Sequence, residues 1–229
     1  MSTVIDLCNV DLSFALTRGK AHSSNQVLNS INFKLEAGER LGIIGKNGSG
    51  KSTLLRVMAK ILRPDAGVVT WHPGVSPSLL SLGLGFKPDL SGRDNAYIAC
   101  ILRGMTRRDS LLAVKEIEGF CEVGAYFEEP IKSYSVGMLA RLGFGTALAS
   151  KGNVILIDEV LSVGDLAFRQ KALDALKGSV SSGHAMVLVS HSDQQITSMC
   201  NKAILLERGK VVFEGAADAA LQQYHQSAL

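Results

Sequence analysis

The chain has 229 residues and a formal net charge of +3, from 24 basic and 21 acidic side chains. This length suits one α/β domain with its own hydrophobic core. The intermixed charges exclude a strongly basic nucleic-acid surface, and no stretch approaches the ~20 apolar residues that a membrane-spanning helix needs. The four cysteines are scattered without metal-type pairs, so we interpret them as core residues in a reducing compartment.

The first predicted elements are strands. Residues 3–14 and 28–35 mix apolar and polar side chains at strand spacing, which is typical of a half-exposed antiparallel sheet. The polar stretch 17–26 between them is predicted to be a loop. Continuous apolar runs, which indicate central parallel strands covered on both faces, occur at 41–44, 154–157 and 186–189.

Residues from about 90 to 149 are rich in helix formers and predict a helical insert in the α/β core. The segment 91–94 resembles a helix start, and residues 110–120 carry apolar side chains at helical spacing. After the last buried strand, residues 202–213 predict a hairpin, and 216–223 a closing helix. We expect a single domain that spans residues 1–229.

A glycine-rich loop follows the apolar run 41–44 and precedes a helix-compatible stretch at 53–59. Its glycines let backbone N–H groups face inward as a nest for phosphate oxygens, and the helix N-terminus adds partial positive charge. We expect Lys51 to reach the β- and γ-phosphates and the Ser52 hydroxyl to ligate Mg²⁺. The predicted ATP-binding residues are Gly45, Lys46, Asn47, Gly48, Ser49, Gly50, Lys51, Ser52 and Thr53.

An acidic pair, Asp158 and Glu159, ends the buried run 154–157, where open α/β sheets place ligands. We expect Asp158 to contact Mg²⁺ and Glu159 to polarise the water that attacks the γ-phosphate. On its own such a pair is more often a solvated strand end, but the phosphate loop favours the catalytic interpretation.

His191 follows another buried strand at the same edge and is predicted to face the γ-phosphate. Ser192 with Gln195 predicts a capping box for the next helix.

The segment 134–138, Tyr-Ser-Val-Gly-Met, resembles the signature loop of the ATP-binding cassette ATPases, usually written LSGGQ. Ser135 and Gly137 match, and a helix-compatible stretch follows at 139–149. The resemblance covers nearly the whole chain. It implies an α/β fold: a P-loop NTPase core of cassette type with an antiparallel β subdomain and the helical insert.

In that family two cassettes pair head to tail, and each ATP lies between one chain's phosphate loop and the other's signature loop. The resemblance therefore implies a homodimer in which the signature loop acts on the partner's ATP, through Ser135, Val136, Gly137 and Met138. Residues 162–165 resemble the loop through which the two sites communicate, with Asp165 at its end. Phe14 matches the aromatic residue that stacks on adenine, although a core-facing strand aromatic is the alternative.

Three segments resemble one branch, the ATPases of bacterial surface-polysaccharide exporters. They are the Leu-Gly-rich stretch 80–88, the signature-like segment 134–138, and residues 158–165. The first lacks the glutamine by which most cassettes sense Mg²⁺ and the transporter, and what replaces it is left open. The third has Val160 and Leu161 where most cassettes have Pro-Thr.

This branch implies an ATPase that drives export of a lipid-linked capsule, O-antigen or teichoic acid. Its partners would be two copies of an integral membrane subunit, which would hold it peripherally at the cytoplasmic face of the bacterial inner membrane. Because the chain ends at Leu229, no C-terminal carbohydrate-binding domain is expected. Two alternatives stay open: a transporter ATPase for another substrate, and a soluble cassette ATPase without a membrane partner.

Overall fold

The computed structural model describes residues 2–16, 23–80, 85–149, 152–158, 165–181 and 183–227. The chain divides into two compact units. Unit 1 comprises Met1–Leu79, Gly152–Glu159 and Ser179–Leu229, and unit 2 comprises Leu80–Lys151 and Val160–Gly178. None of the helices in these described stretches is long and apolar enough to cross a membrane.

The strands in the described part of the chain are β1 (Thr3–Leu16), β2 (Ser23–Glu36), β3 (Arg40–Ile44), β4 (Ala66–Trp71), β5 (Pro77–Leu80), β6 (Val154–Asp158), β7 (Ala185–Val189), β8 (Lys202–Glu207) and β9 (Lys210–Ala216). The helices are α1 (Lys51–Met58), α2 (Gly92–Leu102), α3 (Arg107–Cys121), α4 (Val136–Leu148), α5 (Leu166–Ser181), α6 (Asp193–Met199) and α7 (Ala217–Ser227), with 3₁₀ turns at Gly124–Glu128 and Ile131–Ser133.

The first sheet of unit 1 has three antiparallel strands in the order β2-β1-β4. The predicted loop at 17–26 is wrong at its end, because β2 already begins at Ser23. Ser24, Asn25 and Gln26 pair with residues 13–15 of β1 and are exposed. Their polar side chains face solvent while the strand ladder satisfies the backbone, so a polar composition did not exclude a strand here.

The second sheet of unit 1 has six strands in the order β5-β6-β7-β3-β8-β9. Strands β6, β7, β3 and β8 run parallel, and β9 returns antiparallel to β8. Every residue of β7 is buried, as are four of the five in β3 and in β6, which confirms these three apolar runs as central strands. The carboxyl ends of β6, β7 and β3 therefore meet side by side at one edge of the sheet.

Strand β5 was not predicted from the sequence. It begins at Pro77 and forms the outer edge of the six-stranded sheet. Edge strands tolerate proline because one side of the ladder needs no N–H donor. Its alternate residues, Ser78 and Leu80, are buried, so the short segment packs one face inward.

Unit 2 contains α2, α3, α4 and most of α5, and residues of α2, α3 and α4 form an apolar cluster of its own. Three of these helices start at a hydroxyl side chain that caps the first turn: Ser91 for α2, Thr106 for α3 and Ser135 for α4. Phe120, Phe144 and Phe168 bring α3, α4 and α5 together, with ring centroids 5.6 to 6.0 Å apart. The helix start predicted at residues 91–94 is confirmed.

Candidate active site

The glycine-rich loop follows β3 and ends where α1 begins. Gly45 has φ 147°, and a Cβ there would lie 2.2 Å from the carbonyl oxygen of Leu206. Gly50, which precedes α1, has φ 106°, and its Cβ would lie 2.8 Å from the carbonyl oxygen of Val27. Any side chain at these two positions would push the loop away from β8 and β2, so glycine fixes both its backbone and its position.

Lys51 lies inside this loop with only 7% of its surface exposed. Its Nζ donates hydrogen bonds to the carbonyl oxygens of Gly45, at 2.7 Å, and Lys46, at 3.0 Å. A buried ammonium group has to be paired with oxygens, and the loop carbonyls provide them. The loop thus holds a positive charge. Beside it lie the N–H groups of the first turn of α1, and these N–H groups have no acceptor within the helix.

Ser49 supplies a further sign that the loop accommodates a ligand. Its Oγ is buried and has no hydrogen-bond partner among the described residues. The hydroxyl proton of Ser49 is therefore available to a group bound in the loop. An anion with several acceptor oxygens, such as a polyphosphate, suits this donor set.

Ser52 and Asp158 lie together, as predicted for a magnesium site. The Ser52 hydroxyl donates to Asp158 Oδ1 at 3.1 Å, which joins α1 to the end of β6. The bond uses the hydroxyl proton, so the lone pairs of Ser52 and the second carboxylate oxygen remain able to act as ligands. Hydroxyl and carboxylate oxygens are ligands that Mg²⁺ prefers, and the ion needs few from the protein when phosphates and water complete its shell. The donor set therefore fits Mg²⁺.

His191 lies at the same edge of the sheet. Asp158 pairs with Val189, the last residue of β7, and His191 follows two residues later with an exposed ring. The structure thus brings the loop, Asp158 and His191 to neighbouring strand ends. Glu159, the predicted base, lies outside the described residues, as do the predicted positions 160–164 and 81–84.

The capping box predicted at the start of α6 is only half present. Ser192 Oγ accepts from the N–H of Gln195 at 3.4 Å. The Gln195 side chain does not return to the N–H of Ser192; its Oε1 accepts from Ser190 Oγ at 2.6 Å. Ser190 Oγ in turn accepts from Ser192 N at 3.0 Å, so it takes over the role expected of Gln195. This network braces the turn that carries His191.

Phe14 lies in the three-stranded sheet, opposite Asn25 of β2. Its side chain is 42% exposed, so the core-facing alternative is wrong. An exposed aromatic ring is available for stacking on a planar base. Its contact with adenine stays a prediction.

In unit 2, the signature-like segment forms the start of α4. Ser135 is the N-cap residue, and its Oγ accepts from the N–H of Met138 at 3.2 Å. Because the oxygen accepts this bond, the hydroxyl proton is left to donate elsewhere. Val136 is 76% exposed, and a Cβ on Gly137 would meet only Ser135 Oγ, at 3.8 Å. The turn therefore presents the N-terminus of α4 to solvent, where an anion can approach it.

Tyr134 stands where the common signature sequence LSGGQ has leucine, and it anchors this turn. Its hydroxyl donates to the carbonyl oxygen of Tyr126 at 2.7 Å. Burial raises the pKa of Tyr134 to about 12. The ring requires a glycine opposite it, since a Cβ on Gly92 would lie 2.1 Å from the Tyr134 hydroxyl. The tyrosine thus holds the segment before α4 against the 3₁₀ turn and α2.

Asp165, predicted to mediate communication between sites, immediately precedes α5. Its Oδ1 accepts from the N–H of Phe168 at 2.8 Å, and its Oδ2 contacts the guanidinium of Arg141. Sequence reasoning passed over Arg141. A signal was present, because Arg141 is the single charged residue in the otherwise apolar stretch 139–149, and a charge in such a helix has to find a partner.

Comparison with known proteins places these features in a family. Residues 28–162 match the family described as ABC transporter. The ABC transporter protein AbcA of Aeromonas salmonicida is 38% identical over 201 residues, which cover 88% of this chain and 65% of that protein. The O-antigen export system ATP-binding protein RfbB of Klebsiella pneumoniae is 34% identical over 215 residues, or 94% of this chain and 86% of that protein.

A teichoic acids export ATP-binding protein, TagH of Shouchella clausii, is 32% identical over 211 residues, covering 92% of this chain and 58% of its own length. The chain therefore spans just under two thirds of the Aeromonas protein, somewhat under three fifths of the Shouchella protein and most of the Klebsiella protein.

Solved structures share the fold. The dimeric post-hydrolysis state of the ATP-binding cassette MJ0796, bound to ADP and Pi, aligns with a TM-score of 0.81 at 21% identity, over 93% of this chain and 98% of that one. The ATP binding subunit of an ABC transporter aligns with a TM-score of 0.82 at 17% identity, over 97% and 93%. The predicted cassette-type α/β fold is confirmed. The chain belongs to the ABC transporter family and is an ATP-binding cassette ATPase.

Proposed function

We propose that this chain is the ATP-hydrolysing subunit of an exporter that moves a lipid-linked surface polysaccharide across the bacterial inner membrane. The main support for ATP hydrolysis is the contact between Ser52 Oγ and Asp158 Oδ1, which lie 3.1 Å apart and follow the buried Lys51 and end β6, respectively. The export role is supported by the relatives whose names specify O-antigen and teichoic acid export.

The phosphate loop binds the triphosphate through its backbone N–H groups and Lys51. On binding, the Lys51 ammonium exchanges its contacts with the carbonyls of Gly45 and Lys46 for phosphate oxygens, so the group stays paired while buried. Ser52 and Asp158 are the residues that hold Mg²⁺. When bound, Mg²⁺ neutralises charge on the β- and γ-phosphate oxygens during phosphoryl transfer.

Glu159 accepts the proton of the attacking water in this proposal. It directly follows Asp158, the last residue of β6, in the sequence. His191, two residues beyond β7 at the same edge, donates to the γ-phosphate. These two side chains position the water and the phosphate for an in-line attack.

The second half of each site comes from another copy of the chain. The exposed start of α4 offers the Ser135 hydroxyl proton and the N–H groups at Val136 and Gly137 to a γ-phosphate bound by the partner, while the Met138 N–H holds Ser135 Oγ in place. Asp165 links the two sites. A head-to-tail homodimer is supported by the open state of this turn, and related cassettes of the same fold are described as dimeric.

The membrane partner docks on unit 2. A hollow of about 120 Å³ opens beside α2, lined by Phe86, Ile98, Ala99 and Leu102 among others. Leu102 is 78% exposed and Ile101 39%. Adjacent exposed apolar side chains of this kind mark protein interaction surfaces. Two membrane subunits, one on each cassette, would hold the dimer peripherally at the cytoplasmic face of the inner membrane.

Deletion of the gene in its native bacterium tests the proposal. Surface polysaccharide and intracellular lipid-linked glycan are measured together, in the deletion strain and in strains complemented with wild type or Lys51→Ala. We expect loss at the surface with accumulation inside, restored by wild type alone; the polymer that accumulates then distinguishes capsule, O-antigen and teichoic acid. An unchanged surface and no accumulation would exclude polysaccharide export.

A further inference from the structure

Arg141 lies outside the signature-like segment 134–138 and makes several contacts within unit 2. It lies on α4, six positions after Ser135, with 18% of its side chain exposed. One guanidinium nitrogen contacts Asp165 Oδ2, and the other lies 3.4 Å from the carbonyl oxygen of Cys121. The guanidinium also lies 4.9 Å from the ring centre of Phe168. These contacts fix the plane of the group as well as its charge.

Asp165 is held from two sides. Its Oδ1 accepts from Phe168 N at 2.8 Å and so caps the first turn of α5, while Oδ2 contacts Arg141 of α4. The pKa of Asp165 is lowered, first by the Phe168 N–H and then by Arg141, in agreement with a carboxylate that stays charged. The residue predicted to mediate communication between sites is thus tied to the signature helix by Arg141.

A second ion pair extends the contact to α3. Glu122 Oε2 lies 3.9 Å from Arg141, and Glu122 Oε1 accepts from Lys171 Nζ at 2.6 Å. Lys171 also donates to the carbonyl oxygen of Phe120 at 2.9 Å. The charges alternate in sign, so the four side chains Arg141, Asp165, Glu122 and Lys171 form one cluster across α3, α4 and α5.

This cluster opens onto the signature-like turn. A hollow of about 360 Å³ is lined by Ser135, Gly137 and Met138 together with Glu122, Arg141 and Asp165. Arg141 is therefore the side chain that joins the donors at the start of α4 to the carboxylate before α5.

We propose that Arg141 is a positioning residue for ATP hydrolysis: it fixes Asp165 and the first turn of α5 relative to the start of α4. In the homodimer, Ser135 and Asp165 then reach the partner's site together in one geometry. This inference rests on the proposed function, because it concerns the half-site that the chain contributes to its partner.

Arg93 provides a matched control within unit 2. Its guanidinium contacts Glu128 and Glu118, the latter at 3.1 Å, and lies 5.3 Å from the ring centre of Phe127. Both arginines thus lie over a phenylalanine ring between two carboxylates. Arg141 lies on α4 and contacts Asp165, whereas Arg93 of α2 contacts α3 and the 3₁₀ turn Gly124–Glu128. Arg93→Ala therefore removes an arginine ion pair and leaves the contact between Arg141 and Asp165 in place.

The experiment compares Arg141→Ala, Arg141→Lys, Arg93→Ala, Asp165→Asn and the double variant of Arg141→Ala with Asp165→Asn. Thermal stability, ATP affinity, kcat and KM are measured for each purified protein, with wild type as reference. We expect Arg141→Ala to lower kcat by about 10- to 100-fold with little change in KM, as for a misplaced reacting group. Arg141→Lys should recover part of kcat, because it keeps the charge but not the planar contacts.

Two further results distinguish positioning from a structural role. Arg93→Ala should lower stability about as much as Arg141→Ala yet keep the wild-type kcat. The double variant should lose clearly less kcat than the product of the two single losses, since both changes remove the same contact between Arg141 and Asp165. Equal kcat losses for both arginines, or additive losses in the double variant, would overturn the inference. A wild-type protein that hydrolyses ATP fully as a monomer would instead overturn the proposed dimer.

Discussion

The phosphate loop of unit 1 and the start of α4 in unit 2 use the same local device, a glycine-containing turn before a helix N-terminus, but they are built differently. In the loop, Lys51 is 7% exposed and already paired with two carbonyls. At the start of α4, the described turn contains no cation, Ser135 caps its own helix, and Val136 is 76% exposed. The first turn carries charge and is closed around it; the second is neutral and open.

This difference suggests separate roles: the phosphate loop provides affinity for the nucleotide, and the start of α4 completes the site for hydrolysis. A buried, paired cation with adjacent N–H donors provides most of the attraction for a polyphosphate. A neutral turn with one hydroxyl and a helix N-terminus contributes a weaker, short-range attraction, which matters only once an anion is held nearby. We therefore expect changes in the loop to alter nucleotide binding, and changes at α4 to alter turnover.

The largest expected effect belongs to Glu159. Glu159→Gln should lower ATP hydrolysis by about 100- to 10,000-fold, because it removes the proposed general base. ATP affinity should be retained and the closed dimer should accumulate, as seen by size-exclusion chromatography with ATP. Normal hydrolysis by this variant would exclude Glu159 as the base.

Lys51→Ala should mainly weaken binding. Loss of a charge-assisted contact costs about 1.5–3 kcal/mol, so ATP affinity should fall by roughly 10- to 100-fold. Isothermal titration calorimetry on the purified chain measures this directly. Lys34→Ala is the control, since Lys34 is an exposed lysine that pairs with Asp6 on the β1–β2 sheet. If the two variants bound ATP equally well, the loop would not be the main source of affinity.

Ser135→Ala should mainly lower turnover. Thr106→Ala is its matched control, because Thr106 Oγ1 caps α3 by accepting from Asp109 N at 3.2 Å, the distance found for Ser135 at α4. Each cap is worth about 0.5–2 kcal/mol, so both variants should lose similar thermal stability. Only Ser135→Ala should lower kcat, by about tenfold or more, with ATP affinity kept. An equal loss of kcat in both variants would show that Ser135 acts only as a helix cap.

A prediction without a mutation concerns local opening of the two units. Burial raises the pKa of Cys200 in unit 1 and of Cys121 in unit 2 to about 12, so both thiols react only when their surroundings open. Cys200 packs near Gly42 of β3, the strand that leads to the loop.

ATP at 100 times its Kd stabilises the binding unit by about 2.7 kcal/mol, which corresponds to up to about 100-fold slower labelling of Cys200. Labelling of Cys121 should change little. Alkylation at pH 8 followed by mass spectrometry measures both rates, with the exposed Cys8 as internal reference. Equal protection of Cys121 and Cys200 would show that ATP stabilises the two units together.

Much of the nucleotide site could be predicted from sequence because its determinants are local. Continuous apolar runs are typical of buried parallel strands, and parallel strands place their ends at one edge, so Asp158 and His191 were expected together. The glycines of the loop occur where side chains would collide with neighbouring backbone, and a glycine pattern is visible without the neighbour.

Other features depend on contacts between distant residues. Ser24, Asn25 and Gln26 form a strand because β1 offers a ladder, although their polarity suggested a loop. Gln195 bonds Ser190 rather than closing a capping box, because that hydroxyl lies within reach in the folded turn.

The sequence alone determined the family, the cassette fold, the glycine-rich phosphate loop and the positions of the three buried strands along the chain, because each depends on patterns of neighbouring residues. Only the tertiary structure decided that Arg141 meets Asp165, 24 positions away, and that Tyr134 holds the signature-like turn against the Tyr126 carbonyl. A buried charge or hydroxyl needs a partner, but which partner it finds is set by how the helices pack.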